Sequence, residues 1–502
     1  MDIVQHWLHG FAVATTPENL LFVVIGSVLG TLVGLLPGLG PIEGTAILIP
    51  LTYRMEPIPA LIMLAAIYYG AMYGGTISSV LVNVPGEGVS VVTCFDGYQM
   101  ARQGRAGVAL GVAAIGSFVG GTIATVALML VALPLARVAL AIGPPEMFAL
   151  LLIGFVLVAT LGGRRLLPSL LMALVGLLLA MVGMDPVRGA PRLAFGVPEL
   201  YDGIGFIPVV MGLFGVAEIM LALEHPTPPA PGARVGGLRG MLPSREEWPR
   251  VAGAIGRGTL LGFLLGLIPG IGAVIPTFAA YALEKRLSRH PERFGTGVVE
   301  GVAAPETANN AYANASMVPL LTLGVPGSPT LAVLMGAFII HGVTPGAFLF
   351  RERPDLVWGL IASLYVGNLV LLVLNLPMVG LWARLLELPR AYLYPAILLF
   401  AIIGCYSVRQ SLFDVGLMLV FGVLGYLVRK LDWPVAPTVL ALILAPLMEK
   451  ALRNSLEMSG GDASIFVTRP IAALLLGVAA VALVLAAAGL GPIRRLGAPP
   501  EP

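Results

Sequence analysis

Four short Pro-Gly segments are the part of the sequence best suited to binding a small ligand. Gly34–Gly40 (GLLPGLG) recurs as Gly266–Gly272 (GLIPGIG) at an offset of 232, and Val84–Gly86 (VPG) recurs as Val325–Gly327 at an offset of 241. Proline removes a backbone donor and glycine permits a positive φ, so each segment predicts a break within an apolar helix. In chain order we call them the first (34–40), second (84–86), third (266–272) and fourth (325–327) breaks.

Polar side chains are concentrated beside these breaks. The amides freed at a break inside a membrane need a partner, which a carboxylate ligand, a polar side chain or water can provide. Hydroxyl and amide side chains often only hold helices together, but their position beside four breaks favours contact with a ligand in one shared cavity. The predicted substrate-binding residues are Pro37, Gly38, Gly40, Ser78, Ser79, Asn83, Pro85, Gly86, Pro269, Gly270, Gly272, Asn309, Asn310, Asn314, Pro326, Gly327 and Ser328.

Acidic residues near the breaks are candidates for binding a coupling cation. Glu43 follows the first break and Glu306 precedes the fourth, and a carboxylate within a membrane is costly enough to be a functional candidate by default. The coupling cation is predicted to be Na⁺ or H⁺, and no other cofactor or metal is expected. Glu87 and Asp96 are expected at the membrane edge, where they would be solvated. Lys and Arg are scarce around the breaks, so a bound anion would rely on helix N-termini and free amides.

The composition places these residues in a polytopic membrane protein. Of 502 residues, 58% are hydrophobic and only 11% are charged, whereas a soluble domain has about 25% charged residues. This excludes an ordinary soluble enzyme, a nucleic-acid-binding protein and a disordered chain. Charge-free windows of about 20 residues predict ten to twelve transmembrane helices. The fold class is therefore an all-α membrane protein whose helices include broken, re-entrant ones.

The order and spacing of the breaks predict two internal repeats. The first two landmarks recur in the same order with similar spacing, which indicates a duplicated transporter architecture. We expect the repeats to be inverted relative to one another, which requires an odd number of crossings in each. The predicted organisation is a first repeat (19–223), a Pro/Gly-rich polar connector (224–250), a second repeat (251–450), and a C-terminal part (451–502) with a connector, a last transmembrane helix and a basic tail.

Motifs for enzymatic catalysis are missing from the sequence. Asp96–Arg102 (DGYQMAR) loosely resembles the start of a phosphotransferase motif, but the further aspartates that such enzymes need do not follow. There is no G-x-S-x-G, no H-E-x-x-H and no Walker A motif, so no enzyme activity is predicted. A passive channel or a structural subunit without carrier activity is the alternative to a carrier, although no ring of like charge typical of a channel is readable.

The chain resembles the large membrane subunit, TctA, of tripartite tricarboxylate transporters. The similar stretches are Gly34–Leu51, Ile67–Gly86, Asp96–Gly107, Gly266–Gly272, Gly301–Asn314 and Leu323–Gly346. The resemblance implies a secondary transporter, driven by an ion gradient, that imports a carboxylate or related small organic anion. It also implies a small TctB-like membrane subunit, an extracytoplasmic TctC-like binding protein that delivers the substrate, and a multi-pass location in the lipid bilayer of the bacterial inner membrane. No nucleic-acid partner is expected.

Overall fold

The protein is almost entirely helical. The computed structural model describes residues 3–36, 39–86, 88–139, 142–161, 166–185, 189–224, 238–385 and 390–488. For these residues the predicted all-α class is confirmed, apart from one short antiparallel ladder of β1 (Gly183–Met184) and β2 (Pro191–Arg192). Pro37, Gly38, Glu87, residues 225–237 of the predicted connector and the C-terminal tail (489–502) lie outside the described residues.

The helices fall before and after the connector. Those before it are α1 (Ile3–Ala14), α2 (Pro17–Leu35), α3 (Pro41–Thr52), α4 (Pro57–Val82), α5 (Val91–Arg102), α6 (Ala106–Ala139), α7 (Pro144–Leu161), α8 (Leu166–Ala180), α9 (Phe206–Val210) and α10 (Ala217–Glu224). A π-helical segment, Met211–Val216, joins the last two. Those after it are α11 (Trp248–Gly266), α12 (Val274–Leu287), α13 (Glu300–Ala315), α14 (Met317–Leu323), α15 (Pro329–Ile340), α16 (Leu349–Glu352), α17 (Pro354–Asn375), α18 (Val379–Leu385), α19 (Arg390–Arg409), α20 (Leu412–Lys430), α21 (Ala436–Met458), α22 (Ile465–Thr468) and α23 (Pro470–Ala487). Short 3₁₀ turns lie at Gly88–Ser90, Pro198–Leu200, Leu238–Met241 and Pro291–Arg293.

Proline fixes where many of these helices begin. Pro17, Pro41, Pro57, Pro329 and Pro354 each occupy the first helical position. At that position the missing N–H would have no intrahelical partner, and the fixed φ of proline already suits a helix. A helix ends before or within the first residues of each of the four predicted breaks and another begins after it, so the breaks are interruptions between helices.

Six helical segments are long and apolar enough to cross a membrane. They are Pro17–Leu35, Pro57–Val82, Ala106–Arg137, Phe206–Glu224, Pro354–Asn375 and Leu412–Lys430. Six shorter apolar helices accompany them, namely Pro41–Thr52, Pro144–Val156, Leu166–Ala180, Pro329–Ile340, Tyr394–Arg409 and Pro470–Leu485. Leu130, Leu178 and Val484 are among many apolar side chains exposed on the outer helices, as expected of a surface in contact with lipid. The total of ten to twelve crossings stays a prediction.

Helices α4 and α13 form the buried centre of the protein. Every residue of α4 from Pro59 to Leu81 is buried, and so is every residue of α13 from Gly301 to Ala315. Helix α4 packs against α2, and α13 packs against α11. The two central helices are therefore enclosed by protein rather than lipid.

Glycines bring α2 into backbone contact with α4. A Cβ atom on Gly30 would lie 2.5 Å from the carbonyl oxygen of Ile67, and one on Gly34 would lie 2.0 Å from that of Ala71. Such distances are far below van der Waals contact, so these positions accept only glycine without moving the helices apart. Small residues that recur every four positions are a common device for close packing of membrane helices.

The same contact occurs between α11 and α13. A Cβ atom on Gly262 would lie 2.3 Å from the carbonyl oxygen of Ala308. Gly262 is displaced from Gly30 by the offset of 232, and Ala308 is displaced from Ile67 by the offset of 241, so both offsets found between the breaks recur in the helix contacts. The register of packing is thus the same in the two places.

Helices α6 and α17 cross at the centre and run in opposite directions. Asn368 Nδ2 donates to the carbonyl oxygen of Phe118 at 2.8 Å and to Thr122 Oγ1 at 2.9 Å. Tyr365, one turn earlier on α17, lies beside Met129, further along α6, with 3.2 Å between its hydroxyl and the Met129 sulfur. An earlier residue on one helix therefore meets a later residue on the other, which is an antiparallel arrangement.

Candidate functional site

The second break folds back onto the end of α2. Helix α4 ends at Val82, and Asn83 follows in the left-handed region with a φ of 57°. A Cβ atom on Gly86 would lie 2.2 Å from the carbonyl oxygen of Gly34, so only glycine allows this approach of the two backbones. The second break is therefore a direct neighbour of the first.

A backbone hydrogen bond joins the third break to the fourth. The amide of Gly270 donates to the carbonyl oxygen of Gly327 at 3.0 Å, and the hydroxyl of Tyr312 donates to the same oxygen at 2.8 Å. Gly270 and Gly272 have φ values of +81° and +74°, which residues with a Cβ atom rarely adopt. The glycines of the third break are thus required by its backbone conformation.

The segments that follow the second and third breaks lie beside each other. A Cβ atom on Gly88, just after the second break, would lie 3.5 Å from Val274 Cγ2 at the start of α12, just after the third. The first break thus touches the second, the third touches the fourth, and the segments that follow the second and third breaks are neighbours. That the four breaks enclose a single substrate cavity stays a prediction.

A helix N-terminus follows each break, at the starts of α3, α5, α12 and α15. Helix N-termini present unpaired N–H groups and a partial positive charge, which suits an anion. At the start of α3 a carboxylate of the protein already binds to this positive end, because the Gly40 amide donates to Glu43 Oε2 at 3.0 Å. At α15, Ser328 Oγ accepts one amide, that of Leu331, at 3.2 Å.

The predicted substrate-binding residues differ in accessibility. Asn83 is exposed, and Pro85, Pro269 and Gly272 are half-buried. The other predicted residues that the structure describes are buried. Among the predicted residues that the structure describes, these four are therefore the ones that a ligand could reach from the protein surface.

Three of the buried polar residues have different surroundings. The hydroxyls of Ser78 and Ser79 both donate to the carbonyl oxygen of Gly75, at 3.2 and 2.8 Å, so their protons are used within α4. Asn309 Oδ1 is buried and has no hydrogen-bond partner in the part of the chain that the structure describes. Asn309 thus offers a free acceptor, whereas the two serines offer only lone pairs.

Asn310 and Asn314 hold α13 against α6. Asn310 Nδ2 donates to Ser117 Oγ at 2.7 Å, and Asn314 Nδ2 donates to the carbonyl oxygen of Gly121 at 2.9 Å. Later residues on α13 meet later residues on α6, so the two helices run in the same direction. The role of both amides in substrate binding stays a prediction.

Similar contacts hold α4 against α17. The hydroxyl of Tyr69 donates to the carbonyl oxygen of Ser363 at 3.2 Å, and that of Tyr73 donates to Asn368 Oδ1 at 2.6 Å. Sequence reasoning did not single out Ser117 or Asn368. A signal was present, however, because the pattern Ser-x-x-x-Gly-Thr beginning at Ser117 recurs as Ser-x-x-x-Gly-Asn from Ser363, at an offset of 246.

Glu43 belongs to a buried ionic cluster. Its Oε1 lies 3.4 Å from Arg429, and the same guanidinium forms an ion pair with Glu218 and lies 5.6 Å from the ring centroid of Phe214. Sequence reasoning missed this arginine, because it is distant in the chain from the first break. Glu43 is thus paired with an arginine that it shares with Glu218.

Glu306 has no such partner. It is 2% exposed, and its carboxylate accepts hydrogen bonds from Thr76 Oγ1 at 2.6 Å and from Thr93 Oγ1. Among the described residues, no Lys, Arg or His forms an ion pair with it. Thr76 lies on the helix before the second break and Thr93 on the helix after it. Within the described part of the chain, this carboxylate from the second half is therefore held only by hydroxyls of the first half.

Asp96 is an anchor rather than a solvated residue. The expectation of solvation is wrong, because Asp96 is 0% exposed. Its Oδ1 accepts the amides of Gly295, Gly297 and Val298 at 2.8–2.9 Å, and its Oδ2 accepts the hydroxyl of Tyr281 at 2.9 Å. Helix α5 is thereby fastened to the loop that leads into α13.

Comparison with known proteins supports the resemblance to the TctA family over most of the chain. Residues 20–440 match the model of the tripartite tricarboxylate transporter TctA family. The chain is 48% identical over 486 residues to an uncharacterized 52.8 kDa protein in the TAR-I ttuC′ 3′ region of Agrobacterium vitis, which covers 97% of this chain and 96% of that protein.

A second relative is similar over one part of the chain. An uncharacterized protein in the TAR-II ttuC′ 3′ region of Agrobacterium vitis is 50% identical over 225 residues, which cover 45% of this chain and 93% of that protein. No solved structure matches the chain.

The family match extends from α2 to α21 and includes all four breaks. The chain therefore belongs to the TctA family, the membrane component of tripartite tricarboxylate transporters, and is a transport protein rather than an enzyme.

Proposed function

We propose that the protein is a secondary transporter that uses an ion gradient to import a carboxylate or related small organic anion. The observation that carries this proposal is Glu306, a buried carboxylate without a cationic partner among the described residues, beside helices that flank a break. A carboxylate in such surroundings is stable only if it is protonated or accompanied by a cation. It can therefore exist in two states, loaded and unloaded, which is what coupling to a gradient requires.

The substrate anion is proposed to bind at the four breaks. Their mutual contacts and the helix N-termini that follow them support this location, since N-termini attract negative charge without a buried Lys or Arg. Asn83, Pro85, Pro269 and Gly272 are accessible there. Because Glu43 already occupies the Gly40 amide, the starts of α5, α12 and α15 are the better candidates for contact with the substrate.

Occupancy of Glu306 is proposed to change how the two halves of the chain hold each other. Thr76 and Thr93 donate to this carboxylate from both sides of the second break. A proton on Glu306 would add an O–H donor and remove the negative charge, which would weaken the hydrogen bonds from the two threonines. A cation beside the carboxylate would leave both bonds intact. Either change would reach the second break through α4 and α5.

Alternating access is proposed to arise from two inverted repeats. The contact of α6 with α13 and that of α17 with α4 support this, because Asn310–Ser117 corresponds to Tyr69–Ser363 under the offsets of 241 and 246. The antiparallel crossing of α6 and α17 supports inversion. In such transporters a fixed central site is exposed in turn to each side of the membrane.

Two protein partners are proposed from the family. In a tripartite system, a small TctB-like membrane subunit accompanies this chain, and an extracytoplasmic TctC-like protein captures the substrate and delivers it. The apolar exposed faces of the outer helices provide the surface for the bilayer, proposed to be the bacterial inner membrane, and for the small subunit. No particular helix is singled out for that contact.

Transport in proteoliposomes would test this function. We expect substrate uptake from the complete tripartite system to require the binding protein and an imposed Na⁺ or proton gradient, and to proceed without ATP. The Glu306→Gln variant should lose accumulation against a gradient but keep exchange of substrate, because its amide cannot change charge. Glu352→Gln, an exposed position, is the control. Uptake that requires ATP, or normal accumulation by Glu306→Gln, would contradict the proposal.

A further inference from the structure

A small cavity lies between α4, α6 and α17. Its volume is about 10 Å³, enough for one occupant the size of a water molecule. Tyr73, Thr76, Ser117 and Asn375 contribute its polar lining, and the other lining residues are Ile, Leu and Ala. All four polar residues are at most 4% exposed.

The three hydroxyl protons of these side chains and one N–H of the Asn375 amide are already used elsewhere. Tyr73 donates to Asn368 Oδ1 at 2.6 Å, and Thr76 donates to Glu306 Oε2 at 2.6 Å. Ser117 donates to the carbonyl oxygen of Glu306 at 3.3 Å. Asn375 Nδ2 donates to the carbonyl oxygen of its own helix at Leu371, at 2.9 Å.

The oxygens of these groups can therefore offer only lone pairs to an occupant. Asn375 Oδ1 is the clearest case, since it is buried and has no hydrogen-bond partner among the residues described. A water molecule can donate to two acceptors at most, and among these side chains only the second N–H of Asn375 is left to donate back to it. A cation accepts lone pairs from all of them, and hard cations are held in proteins by oxygen ligands of this kind.

The charge next to the cavity suits a single positive charge. Thr76 links the cavity directly to the Glu306 carboxylate, and Ser117 links it to the backbone of the same residue. A monovalent cation in the cavity would complete a buried pair with Glu306, and a divalent one would leave an uncompensated charge, which is costly in the interior.

We propose that this cavity is a Na⁺-binding site formed by Tyr73, Thr76, Ser117 and Asn375, with Glu306 as the counter-charge. The proposal rests on the transport function proposed above and specifies its coupling ion. The site draws on both halves of the chain, because α4 and α6 come from the first and α17 from the second. Na⁺ binding would therefore fasten the two halves together at the crossing of α6 and α17.

Binding of ²²Na⁺ to the purified protein tests the site without transport. We expect one Na⁺ per chain, no competition from an equal concentration of choline, and weak competition from K⁺. Asn375→Ala and Ser117→Ala should each raise the half-saturating Na⁺ concentration about tenfold or more, since each removes a contact to a charged group. Ser455→Ala is the matched control, because Ser455 is a buried serine whose hydroxyl bonds within its own helix, α21.

The outcomes separate this site from the proposed function. Absence of saturable Na⁺ binding in the wild-type protein, or an unchanged half-saturating concentration in both variants, would overturn the site. Uptake driven by protons alone, with Glu306 still required, would also overturn it while leaving the transport function intact. Saturable Na⁺ binding that Asn375→Ala and Ser117→Ala weaken would support the site even if the reconstituted system failed to take up substrate.

Discussion

At the scale of single residues, the two carboxylates nearest the breaks differ in what surrounds them. Glu43 shares Arg429 with Glu218 and also accepts a backbone amide, whereas Glu306 is held, as far as the structure describes the chain, by hydroxyls alone. Arg429 thus lies between two acidic groups in a mostly buried position. Loss of a charged partner in such a cluster leaves the remaining charges without compensation, which costs more than the pair itself contributes.

We therefore expect Arg429→Met to destabilise the protein strongly. Removal of a buried ionic partner typically costs about 3–5 kcal/mol, here because Glu43 and Glu218 would face each other without a cation. Thermal unfolding of the purified protein in detergent would measure the effect. Lys430→Met is the control, since Lys430 is the next residue and pairs with Glu224 in an exposed position. Equal melting temperatures for the two variants would show that the cluster has no structural role.

The difference between Glu43 and Glu306 could not be predicted from the sequence. Both follow the same rule, that an acidic residue in an apolar window is a functional candidate, and only the fold brings Arg429 to one of them. Asp96 was expected to be solvated but is buried, because its three amide partners belong to a loop in the second half of the chain. Partners far away in the chain decide the role of a charge, and sequence spacing does not reveal them.

At the scale of helices, the glycine contacts explain how α2 and α11 reach the centre. The contact between Gly262 and Ala308 has no room for one methyl group. A side chain there would push α11 away from α13, whose polar side chains contact α6 on another face. The effect would therefore reach Ser117 and the breaks through the packing of a single helix.

We expect Gly262→Ala to lower the melting temperature and reduce transport. The added Cβ atom would lie 2.3 Å from the carbonyl oxygen of Ala308, so the helices must separate, and overpacking of this kind typically costs about 1–3 kcal/mol. Gly256→Ala on the same helix is the matched control, because nothing lies within 4 Å of a Cβ atom there. The prediction is wrong if both variants unfold at the same temperature as the wild type.

Helix breaks were the most predictable feature at this scale. Proline and glycine act locally, so the ends of α2, α4, α11 and α14 followed from residue type alone. Ser117 and Asn368 were missed because their importance comes from the crossing of α6 and α17, and each looks like an ordinary polar residue in an apolar helix. Only comparison of the two halves, through the pattern around Ser117 and Ser363, could have revealed them.

At the scale of the whole molecule, the antiparallel crossing has a topological consequence. Helix α6 begins at Ala106 and α17 begins at Pro354. If both cross the membrane, their opposite directions place these two starts on opposite sides. This property follows directly from the proposed inversion and does not depend on the total number of crossings.

Labelling of single cysteines would test this arrangement. In a variant with Cys94 and Cys405 replaced by alanine, we expect a membrane-impermeant maleimide on intact spheroplasts to label only one of Arg102→Cys and Arg353→Cys. Both arginines are exposed and lie just before α6 and α17, respectively, and permeabilised cells provide the control in which both should react. Labelling of both positions from the same side would rule out the inversion and leave the duplication possible.

The exchange of contacts between the halves also bears on how the chain is made. Tyr73 and Ser117 lie in the part that leaves the ribosome first, whereas their partners Asn368 and Asn310 are translated later. Until those partners are inserted, α4 and α6 lie in the bilayer with hydroxyl groups that lipid tails cannot supply with hydrogen bonds. The centre around both earlier helices therefore closes only after α13 and α17 have been inserted.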